Sequence, residues 1–319
     1  MKVLHITNNY PTSQFPIYGI FVKEQIDSLN EVGIENEIFF INGREEGKTA
    51  YINGIKKLRK KLINNNYDIL HCHHAFSALI LILTFHFFKC KKIISYQNDP
   101  EREGGLILFH IIYSIFNGII FKNNTKRVKL KKIYYLPNGV NTNFFKPEDK
   151  DSCKTQLNLD KDSNFVLFLD SNNRRTQKRI DRFNKTISLL QKNGNVYNIQ
   201  PLVLTNTKRD LVPLYMNASA LHLLTSDFEG SPNSIKECLA CDIPVVSTPV
   251  GNVADLIGDI KGCYISKSFE PEELAKLVLL AIKCDDFKGR NNLLDKKLDI
   301  KSVAVKLHAI YNNLIKVSK

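Results

Sequence analysis

Residues 220–250 read ALHLLTSDFEGSPNSIKECLACDIPVVSTPV. A short apolar run (220–226) leads through a polar loop into a helical segment that begins near Pro232, and a second apolar run follows at 243–250. Short apolar runs on either side of a helix are typical of buried parallel strands joined by a crossover helix. This stretch therefore predicts a strand–helix–strand unit of a parallel sheet.

The same alternation runs along the rest of the chain. Further strands are expected at 2–8, 36–42, 67–74, 91–98, 117–121, 131–135, 165–171, 199–206 and 262–267, and helices at 19–33, 54–65, 78–88, 178–194, 270–284 and about 300–318. Strands that alternate with helices predict an α/β fold with a parallel sheet covered on both faces.

A polar, charged stretch at 146–164 separates two such halves and is expected to link two domains. We predict two Rossmann-like domains at 1–147 and 148–298 that face each other across a cleft at the carboxyl ends of their strands. The final segment, 299–319, is expected to be a helix that packs back towards the first domain. One place fits poorly, because few residues separate the strands at 117–121 and 131–135, and a parallel crossover usually needs a dozen or more. Either one strand is misassigned or the first domain is trimmed.

The segment EGSPNSIKE (229–237) carries the most specific chemical pattern. Ser231 is suited to the N-cap of a helix and Pro232 to its first position. The free backbone N–H groups of the first turn then form an anion site suited to phosphate, contributed by Asn233, Ser234 and Ile235. Glu229 precedes the helix and Glu237 lies on its second turn. Carboxylates accept hydrogen bonds from paired hydroxyls, so this arrangement suits a nucleotide sugar. The alternative is that Glu229 only favours the helix dipole and that Glu237 is exposed.

Four segments, which together extend along nearly the whole chain, resemble the retaining family-4 glycosyltransferases of the GT-B fold. They are 10–29 (YPTSQFPIYGIFVKEQIDSL), 136–147 (LPNGVNTNFFKP), 171–179 (SNNRRTQKR) and 217–257, which contains the stretch quoted first. They occur in the order and approximate spacing of that family.

The resemblance implies roles for individual residues. Glu229 would contact the hydroxyls of the transferred sugar near the reacting carbon, and Glu237 would hold the nucleotide ribose. Arg175 and Lys178 would neutralise the diphosphate, and Gly19 would let the first-domain loop approach it closely. The donor-binding set then also includes the helix-opening residues Gly230, Ser231, Asn233, Ser234 and Ile235. The chain has no aspartate pair with metal-site spacing, so we predict metal independence and no cofactor.

The chain departs from the family pattern in the loop after the fourth strand, SYQND (95–99). Gln97 stands where the family often has histidine, and Asn98 where it often has glycine, whereas Asp99 is kept. Gln97 can hydrogen-bond a sugar hydroxyl but cannot carry charge. We assign Gln97 and Asp99 to the catalytic set with Glu229, although the change also permits a protein that binds donor and transfers it poorly. Asp242 is a second departure, and we interpret it as a structural turn residue.

Histidines and cysteines provide weaker patterns. In HCHH (71–74), His71 and His73 share one face of a strand, but a metal site would need ligands from elsewhere. We expect His73 or His74 to border the acceptor site, and no bound metal. Cys238 and Cys241 form a CxxC pair without a second pair, so we favour packing over redox chemistry. The odd cysteine count and the N-terminus without a secretory pattern predict free thiols and a cytoplasmic protein.

Net charge is uneven between the two halves. Residues 1–147 carry 20 lysines and arginines against 11 acidic residues, whereas residues 148–319 carry 25 against 21. The basic runs at 55–63 and 122–132 are either solvated surface or a site for an anionic membrane leaflet. Nucleic acid is a rival partner, but no recognition helix, zinc finger or aromatic-interleaved strand supports it.

The resemblance, together with the residue patterns, implies a retaining hexosyltransferase that moves a sugar from a nucleotide sugar, with a UDP-sugar as the first guess. The acceptor is expected to be a glycan or a polyprenyl-linked glycan of bacterial surface polysaccharide synthesis, used at the inner face of the cell membrane. Two alternatives remain open: a catalytically weak nucleotide-sugar-binding subunit, and a nucleotide-sugar epimerase or hydrolase on the same fold.

Overall fold

The computed structural model describes residues 1–85, 90–123, 130–170, 176–192, 194–284 and 287–316. The chain divides into unit 1, which contains Met1–Gly139 and Ile300–Lys319, and unit 2, which contains Val140–Asp299. The first segment of unit 1 therefore ends at Gly139, where residue 147 was expected, and the C-terminal segment also belongs to unit 1.

Unit 1 contains a six-stranded sheet with the order β2-β1-β3-β4-β5-β6, in which every neighbouring pair is parallel. Its strands are β1 (Lys2–Thr7), β2 (Glu35–Phe40), β3 (Ile69–Cys72), β4 (Lys91–Tyr96), β5 (Gly118–Phe121) and β6 (Ile133–Tyr135). Its helices are α1 (Ile20–Glu31), α2 (Gly43–Glu46), α3 (Lys48–Asn64), α4 (Ala75–Leu83), α5 (Gly105–Ile115) and the last helix of the chain, α13 (Ile300–Lys316).

Two apolar layers cover the faces of this sheet. One core joins the sheet to α3, α4 and α5 through residues such as Leu58, Leu81 and Phe109. The core on the other face joins it to α1 and α13 through Leu29 and Leu307. The burial of every β3 residue follows from this double covering.

Both strands of the closely spaced pair, predicted at 117–121 and 131–135, are present at the edge of the sheet in unit 1. β5 and β6 pair in parallel with Ile119 opposite Ile133 and Phe121 opposite Tyr135. Of the two alternatives, the misassigned strand was therefore wrong, because both strands pair in the sheet. A trimmed domain stays a prediction. Residues 124–129 of the connection between these strands lie outside the described part of the chain.

Unit 2 contains a five-stranded parallel sheet with the order β11-β10-β9-β7-β8. Its strands are β7 (Asn164–Asp170), β8 (Ile199–Thr205), β9 (Leu221–Leu224), β10 (Val245–Ser247) and β11 (Tyr264–Ile265). Its helices are α6 (Lys150–Gln156), α7 (Ile180–Lys192), α8 (Val212–Asn217), α9 (Asn233–Ala240), α10 (Val253–Ile257), α11 (Pro271–Ile282) and α12 (Gly289–Asp295).

Two local differences from the sequence expectation concern unit 2. The stretch predicted as a linker contains α6, because the Asp149 carboxylate caps that helix by accepting the Ser152 N–H at 2.8 Å. The helix expected from 178 begins at Ile180, after a 3₁₀ turn at Thr176–Lys178. Pro271 occupies the first turn of α11. Within the described residues, no helix has the length and apolar character that crossing a bilayer requires.

Candidate functional site

In unit 2, the structure joins two of the residues singled out from the sequence. Because the strands are parallel, the loops that follow β7 and β9 leave the same edge of the sheet. Lys178, at the end of the first loop, donates from Nζ to Oε1 of Glu229 in the second at 2.6 Å. The same oxygen accepts a hydrogen bond from Ser226 Oγ at 2.8 Å. Side-chain exposures of 11% for Lys178 and 17% for Glu229 leave the pair largely shielded from water.

The loop that carries Glu229 is held by the segment after β10. Gly251 has a φ of +54°, and a Cβ at this position would lie 2.4 Å from the Gly230 carbonyl oxygen. The next residue, Asn252, donates its backbone N–H to that oxygen at 3.1 Å. Only glycine permits this approach at this backbone conformation. The turn 229–230 is therefore fixed by contacts with a neighbouring loop.

Helix α9 begins one residue later than expected. Pro232, not Ser231, occupies the N-cap position, and no side chain among the described residues caps the helix. Ser231 Oγ instead accepts a hydrogen bond from Nζ of Lys236 at 3.1 Å, and Lys236 is fully buried. The first-turn N–H groups of α9 therefore retain their capacity to bind an anion.

Two residues of that first turn also contribute to packing. Ser234 Oγ lies 3.1 Å from Nε2 of His222, and Ile235 is fully buried in the core of unit 2. Asn233 has a shielded Oδ1 with no hydrogen-bond partner among the described residues. The backbone of this turn, rather than its side chains, is the part suited to a ligand.

Glu237 is paired rather than exposed. Arg209, in the 3₁₀ turn after β8, approaches Oε1 of Glu237 with Nη1 at 2.8 Å, and its guanidinium lies 4.7 Å from the ring centre of Phe145. The Glu237 side chain is 11% exposed. The alternative of an exposed Glu237 was therefore wrong, because a basic residue from a different loop covers the carboxylate.

A second ionic group lies on the same loops and was missed in the sequence. Asp227 Oδ1 accepts hydrogen bonds from Arg182 Nη2 at 2.8 Å and from Arg179 Nη1 at 3.1 Å. Burial raises the pKa of Asp227, but the two guanidiniums outweigh it and hold the pKa below its usual value. Arg182 also donates to the Thr225 carbonyl at 2.5 Å. Arg175, the other predicted diphosphate ligand, lies outside the described residues.

In unit 1, Gly19 precedes α1 with a left-handed φ of +68°. A Cβ there would lie 2.3 Å from the backbone of Asn9, so the first loop folds tightly against its own start. This contact requires glycine independently of any ligand. Whether a phosphate also approaches Gly19 stays a prediction.

The loop after β4 has Gln97 and Asp99 at the positions expected. Gln97 Oε1 accepts from Asn138 Nδ2 at 3.2 Å, and Asp99 Oδ1 accepts from Asn123 Nδ2 at 3.3 Å. The backbone N–H groups of Gln97 and Asn98 both donate to Glu103, a residue that sequence reasoning missed. Nothing in the sequence pattern distinguishes Glu103 from the acidic residues around it.

The histidines of β3 lie in a buried network. His71 and His73 stack at a centroid distance of 4.2 Å, which agrees with their predicted shared face. His5 Nδ1 lies 2.9 Å from His73 Nε2, and His71 lies 2.9 Å from Ser95 Oγ and 2.5 Å from Tyr311 Oη. Burial lowers the pKa of all three imidazoles, to about 4 for His5.

This network also supplies the ligand that the metal interpretation of HCHH lacked, since atoms of His5, His71 and His73 lie within 4.8 Å of one another. A metal fits poorly, because most ring nitrogens of the three histidines are already in hydrogen bonds. His5 Nε2 bonds to Asn36, and within the three rings His73 Nδ1 is the nitrogen without a partner among the described residues. His73 is fully buried, whereas His74 caps α4 with its side chain 18% exposed. Of the two acceptor-side candidates, His74 is the one with solvent exposure, and its contact with an acceptor stays a prediction.

The cysteines pack in the interior. Cys238 and Cys241 are buried as free thiols, and burial raises the pKa of both. Thiols that stay protonated are poor nucleophiles and poor metal ligands. This environment favours the packing interpretation of the CxxC pair.

Part of unit 2 matches a known family of proteins. Residues 173–283 match the family model described as glycosyl transferases group 1. A probable sucrose-phosphate synthase of Thermosipho melanesiensis is 31% identical in an alignment of 169 residues that covers 45% of this chain and 39% of the relative. The chain is thus aligned with well under half of that relative's length.

Solved structures resemble the whole chain. A sucrose-phosphate synthase from Thermosynechococcus elongatus has a TM-score of 0.79 at 13% identity, with 99% of both chains covered. Anabaena Alr3699/HepE in complex with UDP and glucose has a TM-score of 0.72 at 13% identity, over 98% of this chain and 100% of that one. The catalytic domain of Arabidopsis thaliana starch synthase IV, bound to ADP and acarbose, has a TM-score of 0.71 at 11% identity over 99% of both. The chain therefore has the GT-B fold and resembles the GT-B glycosyltransferases, with residues 173–283 matching group 1 of that class.

Proposed function

We propose that the protein is a retaining, metal-independent glycosyltransferase of family 4. It transfers a hexose from a nucleotide sugar, a UDP-sugar in the first instance, to a glycan or polyprenyl-linked glycan of bacterial surface polysaccharide synthesis. The observation that carries the proposal is the Lys178–Glu229 pair in the loops beside the start of α9, where the described side chains leave the N–H groups uncapped. A cation, a hydroxyl acceptor and a set of free N–H groups are the three parts that a sugar diphosphate requires.

In the proposed reaction, the bond between the sugar and the nucleoside diphosphate breaks, and different groups bind its two ends. As the nucleoside diphosphate departs, negative charge develops on its phosphate oxygens. Lys178 and the N–H groups of α9 stabilise that charge, as donors in an oxyanion hole do. Glu229 accepts hydrogen bonds from the sugar hydroxyls and so fixes the reacting carbon against the leaving group. In a same-face attack, the departing phosphate takes the proton of the acceptor hydroxyl, and no strong protein base is needed.

Glu237 is proposed to hold the ribose of the nucleotide. Its pairing with Arg209 orients the carboxylate, and the two acids lie on opposite sides of the α9 start in the sequence. Two structural neighbours hold UDP and ADP, which is consistent with a nucleotide in this role.

The donor half of the proposal is tested by a thermal-shift panel of UDP, ADP, GDP and their glucose or mannose conjugates. A ligand at 100 times its Kd should stabilise the fold by about 2.7 kcal/mol. Lys178→Ala should abolish the shift, whereas Lys185→Ala should retain it, because Lys185 is 61% exposed and its ion pair with Glu272 is a loose one at 3.6 Å. Equal shifts in the two variants, or no shift with any nucleotide in the wild type, would contradict the proposal.

Turnover separates the remaining alternatives. We expect labelled sugar to move from donor to an oligosaccharide or polyprenyl-diphosphate-linked sugar, with the anomeric configuration retained and with no loss in EDTA. Full conversion of the donor without acceptor would instead indicate an epimerase or hydrolase. Donor binding without turnover in the presence of every acceptor would indicate a binding subunit.

We further propose that the α3–α4–α5 face of unit 1 contacts an anionic membrane. Helix α3 exposes the cations Lys56, Lys57, Arg59 and Lys60. Helix α5 exposes Ile107 (81%) together with Leu106, Ile111 and Ile115, and Phe85 follows α4 at 76% exposure. Cations beside exposed apolar side chains are typical of an interfacial surface, with about 1 kcal/mol for each cation near anionic lipid.

Sedimentation with vesicles tests this contact. Binding should be strong to vesicles with one third phosphatidylglycerol and weak to pure phosphatidylcholine. Ile107→Ser with Ile111→Ser should reduce binding about tenfold, since each removes buried apolar area. Val305→Ser is the matched control, because Val305 is 54% exposed on α13, which packs on the other face of the sheet. The same loss in the control would contradict a specific face.

A further inference from the structure

Glu103 lies just before α5, and its carboxylate serves the loop after β4. Its Oε1 atom accepts the backbone N–H of Gln97 at 2.8 Å and that of Asn98 at 2.6 Å. The residue is 3% exposed. One buried oxygen therefore satisfies two successive backbone N–H groups of the loop.

The turn that brings Glu103 to this place is built into the chain. The Glu103 N–H donates to the carbonyls of Asp99 and Pro100, both at 3.1 Å, and the Gly105 N–H donates to Pro100 at 2.9 Å. Gly104 and Gly105 follow with φ of +96° and +83°, conformations that favour glycine. Backbone geometry, not chance packing, thus directs the carboxylate back onto residues 97 and 98.

Three shielded polar atoms around this carboxylate have no hydrogen-bond partner among the described residues: Glu103 Oε2, Tyr96 Oη and Gln97 Nε2. The basic atom His74 Nε2 lies 3.8 Å from Glu103 Oε2, and burial lowers the pKa of His74 to about 4, so this imidazole is neutral at pH 7. Buried polar groups in folded proteins nearly always have partners, so such atoms indicate a polar ligand or ordered water.

We propose that Glu103 is a positioning residue, which holds the Gln97–Asn98 turn so that the Gln97 side-chain amide donates a hydrogen bond to a hydroxyl of the sugar substrate. The proposal rests on the proposed function and deepens it. The Gln97 carbonyl oxygen already accepts a hydrogen bond from Asn138, so the amide nitrogen, which has no partner among the described residues, is the end that remains for a ligand. Glu103 acts through this loop and does not itself touch the reacting atoms.

The test compares two substitutions that separate hydrogen bonding from packing. Glu103→Gln retains an oxygen that can accept both N–H groups, whereas Glu103→Met retains the volume and loses the acceptor. With labelled nucleotide sugar as the probe, we expect Glu103→Gln to stay within about threefold of the wild-type kcat and Glu103→Met to lose about 10- to 100-fold. The shift produced by the nucleoside diphosphate should persist in both variants, because it is assigned to unit 2.

A double-mutant cycle asks whether Glu103 acts through Gln97. Gln97→Ala should lower kcat about as much as Glu103→Met, and the double variant should be no worse than either alone. A role in packing alone would give additive losses. Glu31→Gln and Glu31→Met are the matched controls, because Glu31 is an exposed residue at the end of α1 and should tolerate both changes.

The outcomes distinguish the two levels of the argument. Wild-type kcat in Glu103→Met, or additive losses in the cycle, would overturn the positioning role while leaving the transferase intact. No nucleotide binding or turnover in the wild type would overturn the proposed function. In that case hydrogen exchange tests whether Glu103 holds the loop. The Gln97 and Asn98 amides should be protected in the wild type and in Glu103→Gln, and they should exchange faster in Glu103→Met. If Glu103→Met does not fold, Glu103→Asp replaces it, because the shorter side chain cannot reach both amides.

Discussion

Lys178 and Glu229 are separated by 51 positions in the chain, yet their side chains meet at 2.6 Å. The pairing has a consequence for ligand binding, because each group satisfies the other when no substrate is present. In the proposed donor complex, a diphosphate near Lys178 and sugar hydroxyls near Glu229 would replace this one interaction with two. Since the pair is mostly shielded from water, removing one member leaves the other poorly solvated.

The two glutamates are expected to differ in their roles. Glu229→Ala should lower transfer at least ~100-fold and change nucleoside-diphosphate affinity less than about threefold, because the residue is assigned to the sugar. Glu237→Ala should weaken nucleotide binding about tenfold or more, since a ribose contact is lost. Isothermal titration with the nucleoside diphosphate and a transfer assay measure the two effects. Small and equal effects would contradict this division of roles.

At the scale of elements, the contact between the β9–α9 loop and the segment after β10 sets the geometry of the turn that carries Glu229 in the proposed donor site. Gly251 is the residue on which this contact depends, because its Cα lies against the turn formed by Glu229 and Gly230. A helix start binds an anion only where the chain before it leaves room for the ligand. The neighbouring loop thus decides how the Glu229 carboxylate is presented.

Gly251→Ala should destabilise unit 2 by about 1–3 kcal/mol through strain at positive φ, with a further cost from contact with the Gly230 carbonyl. Donor affinity should fall with it, because the 229–230 turn must move. Gly194→Ala is the control, since Gly194 also has a positive φ of +85° but a Cβ there meets nothing within 4 Å among the described residues. Urea unfolding and nucleotide titration of both variants measure the difference. Equal affinity losses would show that strain, rather than the loop contact, is responsible.

At the scale of the whole molecule, neutral buried histidines link stability to pH. Burial holds the pKa of His5, His74 and His222 at about 4 and lowers those of His71 and His73 well below the usual value. In the unfolded chain these groups have pKa values near 6.5, so the unfolded state binds more protons below that pH. Their contribution to stability is therefore complete above pH 6.5 and is lost as the pH falls towards 4.

Each such histidine should cost about 1.4 kcal/mol of unfolding free energy for each pH unit below 6.5. Four of the five lie in unit 1, so acid should open unit 1 before unit 2. Hydrogen exchange at pH 7.5 and 5.5, followed by peptide, measures the two units separately. Equal loss of protection in both units, or greater stability at pH 5.5, would contradict the assignment of neutral buried histidines.

The alternation of short apolar runs with helices was enough to predict two parallel α/β halves, since burial on both faces requires apolar strands. It placed most elements within a few residues of their bounds. The segment 146–164 was predicted as a linker because it is polar and charged, but it contains α6. The N-cap of that helix, Asp149, is one acidic residue among several in this stretch. The start of α9 lies one residue later than expected, with Pro232 at the N-cap, and the Ser231 hydroxyl accepts a hydrogen bond from Lys236 instead of capping the helix.

The sequence by itself determined the class of fold, the family resemblance and the identity of Glu229 and Glu237 as candidates, because these depend on order and spacing along the chain. Only the tertiary structure decided which groups face them. Lys178 and Arg209 pair with the two glutamates because parallel strands bring distant loops to one edge of the sheet, and His5 reaches His73 because neighbouring strands bring distant side chains to one face. The periodicity of apolar residues predicts which face of a strand a side chain occupies. The residue that it contacts on that face depends on the order of the strands in the sheet, and the spacing of residues along the chain does not encode that order.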